Sequence, residues 1–319
     1  MLFDLIWRRL FQLIPVAIGV TFIAFGILNL LPGGTAATIL GGNATPQAIA
    51  QLNKSLGLNH PLIVRYWDWI WAALHGHLGS SLVTQQSVSS IIGTRFPVTA
   101  ELGGMAIIFA LVLALPIATL SAKRANGIFD RVFTFVSLMC VSIPPFVVGL
   151  GLIIIFALKL RWFSTTGFSP MSAGVWLNFK SLILPAISLG LLYFAIYLRV
   201  LRGDMVQQLN TEHYVVTARG KGVSEWRVVL RHVLPNALFG MITVVTVNLG
   251  LLIGGAVLIE QVFSIPGMGF ELISAVTSRD APVVQGEVVC LALMVVLANL
   301  LADVLYTALD PRVRVRHAH

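Results

Sequence analysis

Residues 211–237 read TEHYVVTARGKGVSEWRVVLRHVLPNA, a polar and basic stretch in a chain that is otherwise mostly apolar. Its spacing predicts two short helices. Thr211 is placed to cap the first, because its hydroxyl can accept an N–H that the first turn leaves unbonded, and Glu212 suits the positive end of the helix dipole. Gly222 falls where a helix of that length ends. Ser224 is placed to cap the second helix, with Glu225 in its first turn and Pro235 near its end. Trp226, Val229, Leu230 and Val233 lie at i, i+3, i+4 and i+7 and make one apolar face. Arg227 and Arg231 lie elsewhere on that helix, toward water or a partner. A helix pair of this size between two membrane spans cannot bury its apolar face in a core of its own.

The composition sets the surroundings of this stretch. The chain has 319 residues, 57% hydrophobic and 11% charged, where soluble domains carry about 25% charged residues. That deficit places it in a bilayer. The net charge of +8 follows from the positive-inside rule; the basic residues are not gathered on one soluble domain, which argues against a nucleic-acid partner. No P-loop and no zinc-type Cys/His spacing occurs, so the chain is not expected to hydrolyse ATP or to hold a metal or cofactor itself. His75 and His77 stand two apart without a nearby acidic or Cys companion. Cys140 and Cys290 both lie in apolar runs and read as buried small hydrophobes.

Six spans are expected: Leu10–Leu31, Val98–Leu120, Val132–Leu158, Ser181–Val200, Leu238–Ile259 and Val288–Leu309. The first follows Arg8 and Arg9 and is 22 residues long, beyond the roughly 7–15 residues of a signal-peptide core and close to the ~20 that cross a bilayer. Residues 32–97 hold an amphipathic helix after Thr45-Pro46, then Tyr66, Trp67, Trp69 and Trp71, aromatics that suit either a membrane–water interface or the packing of an external subdomain. Ser142-Ile143-Pro144-Pro145 must break the third span, as a kink lining a cavity or as a packing bend. Pro185 lies in the fourth. Gly250, Gly254 and Gly255 allow close helix approach in the fifth. The deep parts of the spans are almost free of charge. Glu101, Glu260 and Glu287 lie near outer ends, and Asp303 near an inner end.

Fourteen of the 21 Lys and Arg residues fall in the N-terminus, the 121–131 link, the 199–235 loop and the C-terminus. Both termini and the 211–237 loop are therefore expected on the cytoplasmic side. The expected architecture is all-α and polytopic. Residues 1–93 form the first span with an external segment, 94–309 a five-helix core, and 310–319 a short basic tail.

Specific motifs then point to a family. Val216-Thr217-Ala218, Gly222, His232 and Leu234-Pro235 match the spacing of the EAA loop of ABC importer permeases: Glu-Ala-Ala, three residues, Gly, nine residues, Ile, one residue, Leu-Pro. The chain keeps the last Ala, the Gly and the Leu-Pro, and departs at Val216, Thr217 and His232. Thr217-Ala218-Arg219-Gly220-Lys221-Gly222 resembles the peptide-permease branch. Arg95-Phe96-Pro97-Val98-Thr99-Ala100-Glu101-Leu102, Leu56-Gly57-Leu58 with His60-Pro61-Leu62, Ser142-Ile143-Pro144, Glu260 to Gly269, Arg279-Asp280-Ala281-Pro282 and Asp310-Pro311-Arg312 also resemble the dipeptide/oligopeptide permease family, with the long segment after the first span similar to its B-type subunit.

The resemblance implies a type I ABC importer: an extracytoplasmic substrate-binding protein, a second homologous permease subunit, and two cytoplasmic ATPase subunits that carry the ATP and magnesium. It implies peptide as the cargo, with nickel and glutathione permeases sharing the same motifs. It assigns ATPase coupling to Thr217, Ala218, Arg219, Lys221, Gly222, Trp226, Val229, Leu234 and Pro235, and suggests an external mouth at Glu260, Arg279 and Asp280. An ion-coupled secondary carrier is the competing class. Such carriers place ionisable groups near the bilayer midplane, where this chain has few.

Overall fold

The computed structural model describes residues 45–55 and 59–309, together with part of 11–26 and without the side chains of 52, 53, 55 and 301–309. The first expected span is therefore covered in part. Arg8, Arg9, the 32–34 break, Leu56-Gly57-Leu58, the Asp303 side chain and the tail from Asp310 lie outside the described residues.

Among the described residues every regular element is helical: α1 (Pro46–Ser55), α2 (Leu62–Leu74), α3 (Val88–Lys123), α4 (Ile128–Ser142), α5 (Pro145–Leu152), α6 (Val175–Thr211), α7 (His213–Gly220), α8 (Glu225–Val228), α9 (Leu234–Phe263), α10 (Met268–Thr277) and α11 (Ala281–Leu309). A lone antiparallel bridge joins Ser80 to Ser87. Long apolar windows favour this outcome because a helix bonds its own backbone groups where lipid offers no partners. Among the described residues four runs are long and apolar enough to cross a membrane, five if α4 and α5 count as one broken span.

Several boundaries differ from the sequence reading, among them α9, which covers Leu234–Phe263 rather than 238–259, and α11, which starts at Ala281 rather than Val288. α3 starts at Val88 rather than Val98, and α6 runs from Val175 to Thr211 rather than over 181–200. Hydrogen bonding rather than hydropathy ends a helix, so both continue into polar sequence. The expected third span is two helices bent by 101°. Ile143 is extended (φ −99°, ψ 123°), Pro144 is also non-helical (φ −58°, ψ 138°), and the new helix begins at Pro145, because a proline pushes the residue before it out of the helical region. α5 then continues through a π-turn at Ile153–Lys159.

The chain forms two compact units. One contains the described residues of Phe3–Val98 with Pro266–Val296; the other contains Thr99–Ile265 with the described residues from Leu297 onward.

In the larger unit α6 is the central element and packs on α4, α5 and α9. Over its most apolar stretch 67% of α6 is buried, against 39% of α3 and 28% of the run from α8 into α9. Leu102, Ala106, Ala110, Ala114, Ala118 and Ala122 are all buried at four-residue spacing along α3. This ridge of small side chains lets another helix backbone come close. Gly190 of α6 meets it: a Cβ there would lie 2.7 Å from the Ala106 carbonyl oxygen. At Gly149 of α5 the neighbours are the Phe263 ring, at 3.0 Å from a built Cβ, and the Ser188 hydroxyl at 3.3 Å. Asp130, buried at the start of α4, receives both arms of the Arg202 guanidinium from α6, at 2.9 and 2.7 Å, and a third bond from the Asn126 backbone N–H at 2.8 Å.

In the smaller unit Val88, Ile91, Ala275, Val283 and Val284 form the buried core, with Leu78, Ile92, Leu272 and Val288 packed against it. Arg95 and Glu271 close it with a bond of 3.0 Å from Nε. A separate aromatic contact joins α2 to the helical residues near Thr21, where the hydroxyls of Tyr66 and Thr21 lie 2.8 Å apart.

The Gly190 approach predicts a clear asymmetry between two glycines. Gly190→Val drives a side chain into a backbone carbonyl that cannot yield, which costs about 1–3 kcal/mol. Gly254→Ala has nothing within 4 Å of its new methyl and is neutral or stabilising. Thermal unfolding of the two purified variants in detergent should show a lowered midpoint for the first alone.

Candidate functional site

The 211–237 stretch is built differently at its two ends. Thr211 is the last residue of α6, not the cap of the next helix; its hydroxyl donates back to the Gln207 carbonyl at 2.8 Å. Glu212 is extended and occupies the cap position of α7. The physical reason is that α6 already runs through this point, so the break falls one residue later.

α7 ends as the sequence suggests. Val223 N–H bonds the Ala218 carbonyl (3.2 Å) and Gly222 N–H bonds the Arg219 carbonyl (2.9 Å). This pair of reversed bonds is a Schellman motif with Gly222 at its left-handed position, and Gly222 has φ +73°. Space around it is open, so backbone conformation rather than crowding favours glycine there. Ala218 is buried, and Thr217 is exposed with its hydroxyl on the His213 carbonyl at 3.0 Å. Lys221 is exposed.

Across the turn Arg219 grips Glu225, with Nε to Oε1 at 2.8 Å and Nη2 to Oε2 at 3.2 Å, and its third nitrogen reaches the Leu209 carbonyl at 3.3 Å. Arg219 therefore staples α7 to the start of α8 and to the end of α6. Ser224 does stand at the cap position of α8, without a side-chain capping bond.

The second expected helix is not a separate helix. α8 passes through a π-turn at Val229–Val233 directly into α9, and Pro235 lies near the N-terminus of α9 instead of ending α8. The wider π-turn relieves the steric conflict that proline makes with the preceding turn, and the Asn236 side chain donates to the His232 carbonyl at 2.7 Å. The expected apolar face is also split. Val229 and Val233 are fully buried, with Val228 beside them, while Trp226 and Leu230 stay exposed. Leu234 is half-buried and Pro235 exposed. The outward apolar side chains of the stretch are thus Val216, Trp226 and Leu230, beside the exposed Lys221, Arg227 and Arg231. Trp226 has an intramolecular contact as well: the Lys123 ammonium, at the end of α3, sits 3.6 Å over its ring.

The three residues of the expected mouth fall in different units, Glu260 in the larger and Arg279 and Asp280 in the smaller. Glu260 is fully buried and accepts a 2.6 Å bond from Thr99. Asp280 is buried and ties a distant loop: Ser81 donates to Oδ2 at 2.5 Å and Leu82 N–H to Oδ1 at 3.1 Å. The Ser81 hydroxyl in turn accepts from the Thr84 N–H at 2.8 Å. Arg279 is exposed with φ +56°. Thr99, Ser81, Glu225 and Lys123 were not singled out as partners from the sequence, because each pairs with a residue whose position local spacing does not reveal.

Together these features define an all-helical, multi-pass membrane protein with a stapled polar loop between two of its longest helices. The chain belongs to the family of binding-protein-dependent transport system inner membrane components, whose model matches residues 114–315, while the N-terminal model of the same systems matches residues 1–103. It is 38% identical over 316 residues to a putative peptide transport system permease protein of Brucella melitensis, covering 98% of this chain and 99% of the relative. It is 39% identical over 327 residues to the dipeptide transport system permease protein DppB of Alkalihalophilus pseudofirmus, covering 96% and 98%. The figure for the DppB protein of Escherichia coli K12 is 36% over 335 residues, covering 97% and 98%.

Asp280→Asn replaces one acceptor oxygen with a donor and leaves Ser81 or Leu82 N–H without its bond, a loss of about 1–3 kcal/mol. Arg279→Gln, at an exposed side chain, shifts stability by less than about 0.5 kcal/mol. Melting curves of the two variants in detergent provide the comparison.

Proposed function

We propose that this chain is one permease half of an ATP-driven importer that carries di- or oligopeptides across the cytoplasmic membrane. The observation that carries this reading is end-to-end similarity to proteins named as peptide and dipeptide permeases. A second homologous permease completes the path, an extracytoplasmic binding protein delivers the cargo, and two cytoplasmic ATPase subunits hold the ATP and magnesium. The excess of Lys and Arg in 199–235 and at both ends supports termini and loop on the cytoplasmic side.

In this reading the 211–237 loop receives the ATPase. Val216, Trp226 and Leu230 offer apolar contact, and Lys221, Arg227 and Arg231 set electrostatic register. Val229 acts from within, as packing beneath the docking surface. Arg219 holds the two arms of the loop at a fixed angle. Since α8 continues into α9, movement of the docked loop is delivered to a membrane-crossing helix without a flexible joint. Glu260 and Asp280 fix the backbone near the outer ends of their helices.

Two measurements test this. Cysteines placed at Gln86 and Ser224 in the intact importer should label from opposite sides of the membrane with an impermeant reagent; labelling of both from outside sinks the topology. Gly222→Val forces a branched residue into a left-handed conformation, a strain of about 1–3 kcal/mol. The variant should reach the membrane yet retain less than about a tenth of ligand-stimulated ATP hydrolysis or lose the ATPase altogether. Normal assembly with normal uptake of labelled dipeptide rejects the coupling role, and uptake of nickel or glutathione in place of dipeptide rejects the peptide assignment.

A further inference from the structure

Among the described residues, α2 carries an apolar face that remains exposed. Ile63, Val64, Trp67, Trp71 and Leu74 are 44–76% exposed. At 100° per residue they fall within one arc of roughly 100°. The neighbouring arc is the buried one: Tyr66 is 2% exposed, its ring meets Phe22 at 5.2 Å and Phe25 at 5.7 Å, and its hydroxyl bonds the Ile18 carbonyl at 3.1 Å. The polar residues Asp68 and His75, both exposed, occupy the remaining side, while the Arg65 guanidinium belongs to the protein contact, 5.7 Å over the Phe25 ring. The helix thus has three sectors, one against protein, one apolar and bare, and one polar.

We propose that α2 is an interfacial anchor, lying along the bilayer surface with Trp67 and Trp71 at the boundary between headgroups and acyl chains. Three observations select lipid as the occupant. The helix against which α2 packs itself displays Ile14, Ile18, Phe22 and Ile23, each 41–61% exposed, and belongs to the first expected span; the two bare faces are thus on helices joined through Tyr66. Tryptophan with aliphatic neighbours suits the headgroup level, where the ring is apolar and its N–H remains hydrated. Asp68 and His75 lie across the helix from Tyr66, as they must if that sector faces water. A binding protein that arrives and leaves would strand both tryptophans in water between encounters, whereas lipid is always present.

The test uses the full chain in lipid nanodiscs with Cys140 and Cys290, both free thiols, replaced by serine. A nitroxide is attached at Trp67→Cys, at Trp71→Cys or, as an aqueous reference, at Gln86→Cys, an exposed loop residue. Oxygen partitions into lipid and a nickel chelate into water. The ratio of their collision rates should be at least about fivefold higher at 67 and 71 than at 86. Nickel accessibility at 67 and 71 equal to that at 86 overturns the proposal. So does protection from nickel at these positions that arises only after the binding protein or a second permease is added. Two independent stripe positions guard against a local folding defect at either one.

Discussion

A peptide group inside hydrocarbon has no water to bond, and this one constraint organises the molecule. It makes the apolar windows helical and restricts how the helices can be interrupted. Two proline sites show the rule at work. At Pro144-Pro145 the ladder stops and the chain turns by 101°, with the Val147 N–H returning to the Pro144 carbonyl at 3.0 Å. At Pro235 the ladder does not stop, because the preceding π-turn gives the ring room. The same residue type yields a sharp bend at one place and an unbroken run at the other, and Pro185 also stands inside an uninterrupted helix, α6.

With backbone bonds internal to each helix, association has to come from shape and from a few strong polar contacts. The alanine ridge of α3 and Gly190 of α6 bring two backbones close enough for dispersion to act over a long contact. Asp130 and Arg202 add direction. A buried ion pair is weak evidence of net stability, since desolvation offsets much of the attraction. Its forked geometry does fix how the start of α4 sits against the far end of α6, because one register satisfies both nitrogens and the Asn126 N–H together.

The sequence made the helical class, the long apolar windows and the turn at Gly222 legible, because each follows from local chemistry: hydropathy over twenty residues, or a glycine where φ must be positive. Ends and faces were less accessible. Thr211 and Pro235 both carry strong boundary signals, yet α6 runs through the first and the α8–α9 run continues past the second, since hydrogen bonding and the π-turn override the local preference. Val229 is likewise buried and Leu230 exposed, although the i, i+3, i+4, i+7 pattern counts both on one face. Side-chain partners were hidden for a different reason. Ser81 and Asp280, or Thr99 and Glu260, are far apart in the chain, and each residue alone also makes sense as a solvated or capping group.

The loop joins these threads, because its stiffness has three separate sources. The Schellman motif ends α7 at a fixed geometry, the Arg219–Glu225 fork holds the two arms across the turn, and the π-turn removes the joint that a proline would otherwise create before α9. An element with a free hinge at any of these points would absorb displacement by bending there. With all three closed, a displacement at Trp226 has two ways out: along α8 into α9 by covalent continuity, and across to the end of α3 through the ammonium of Lys123. Rigidity alone does not make a switch, since coupling requires an equilibrium that both ends of the element bias. In the proposed coupling role, it would confine the response to whole helices, so that a contact on the loop would be answered by the packing of α9 against α6 and not by a local rearrangement of the loop.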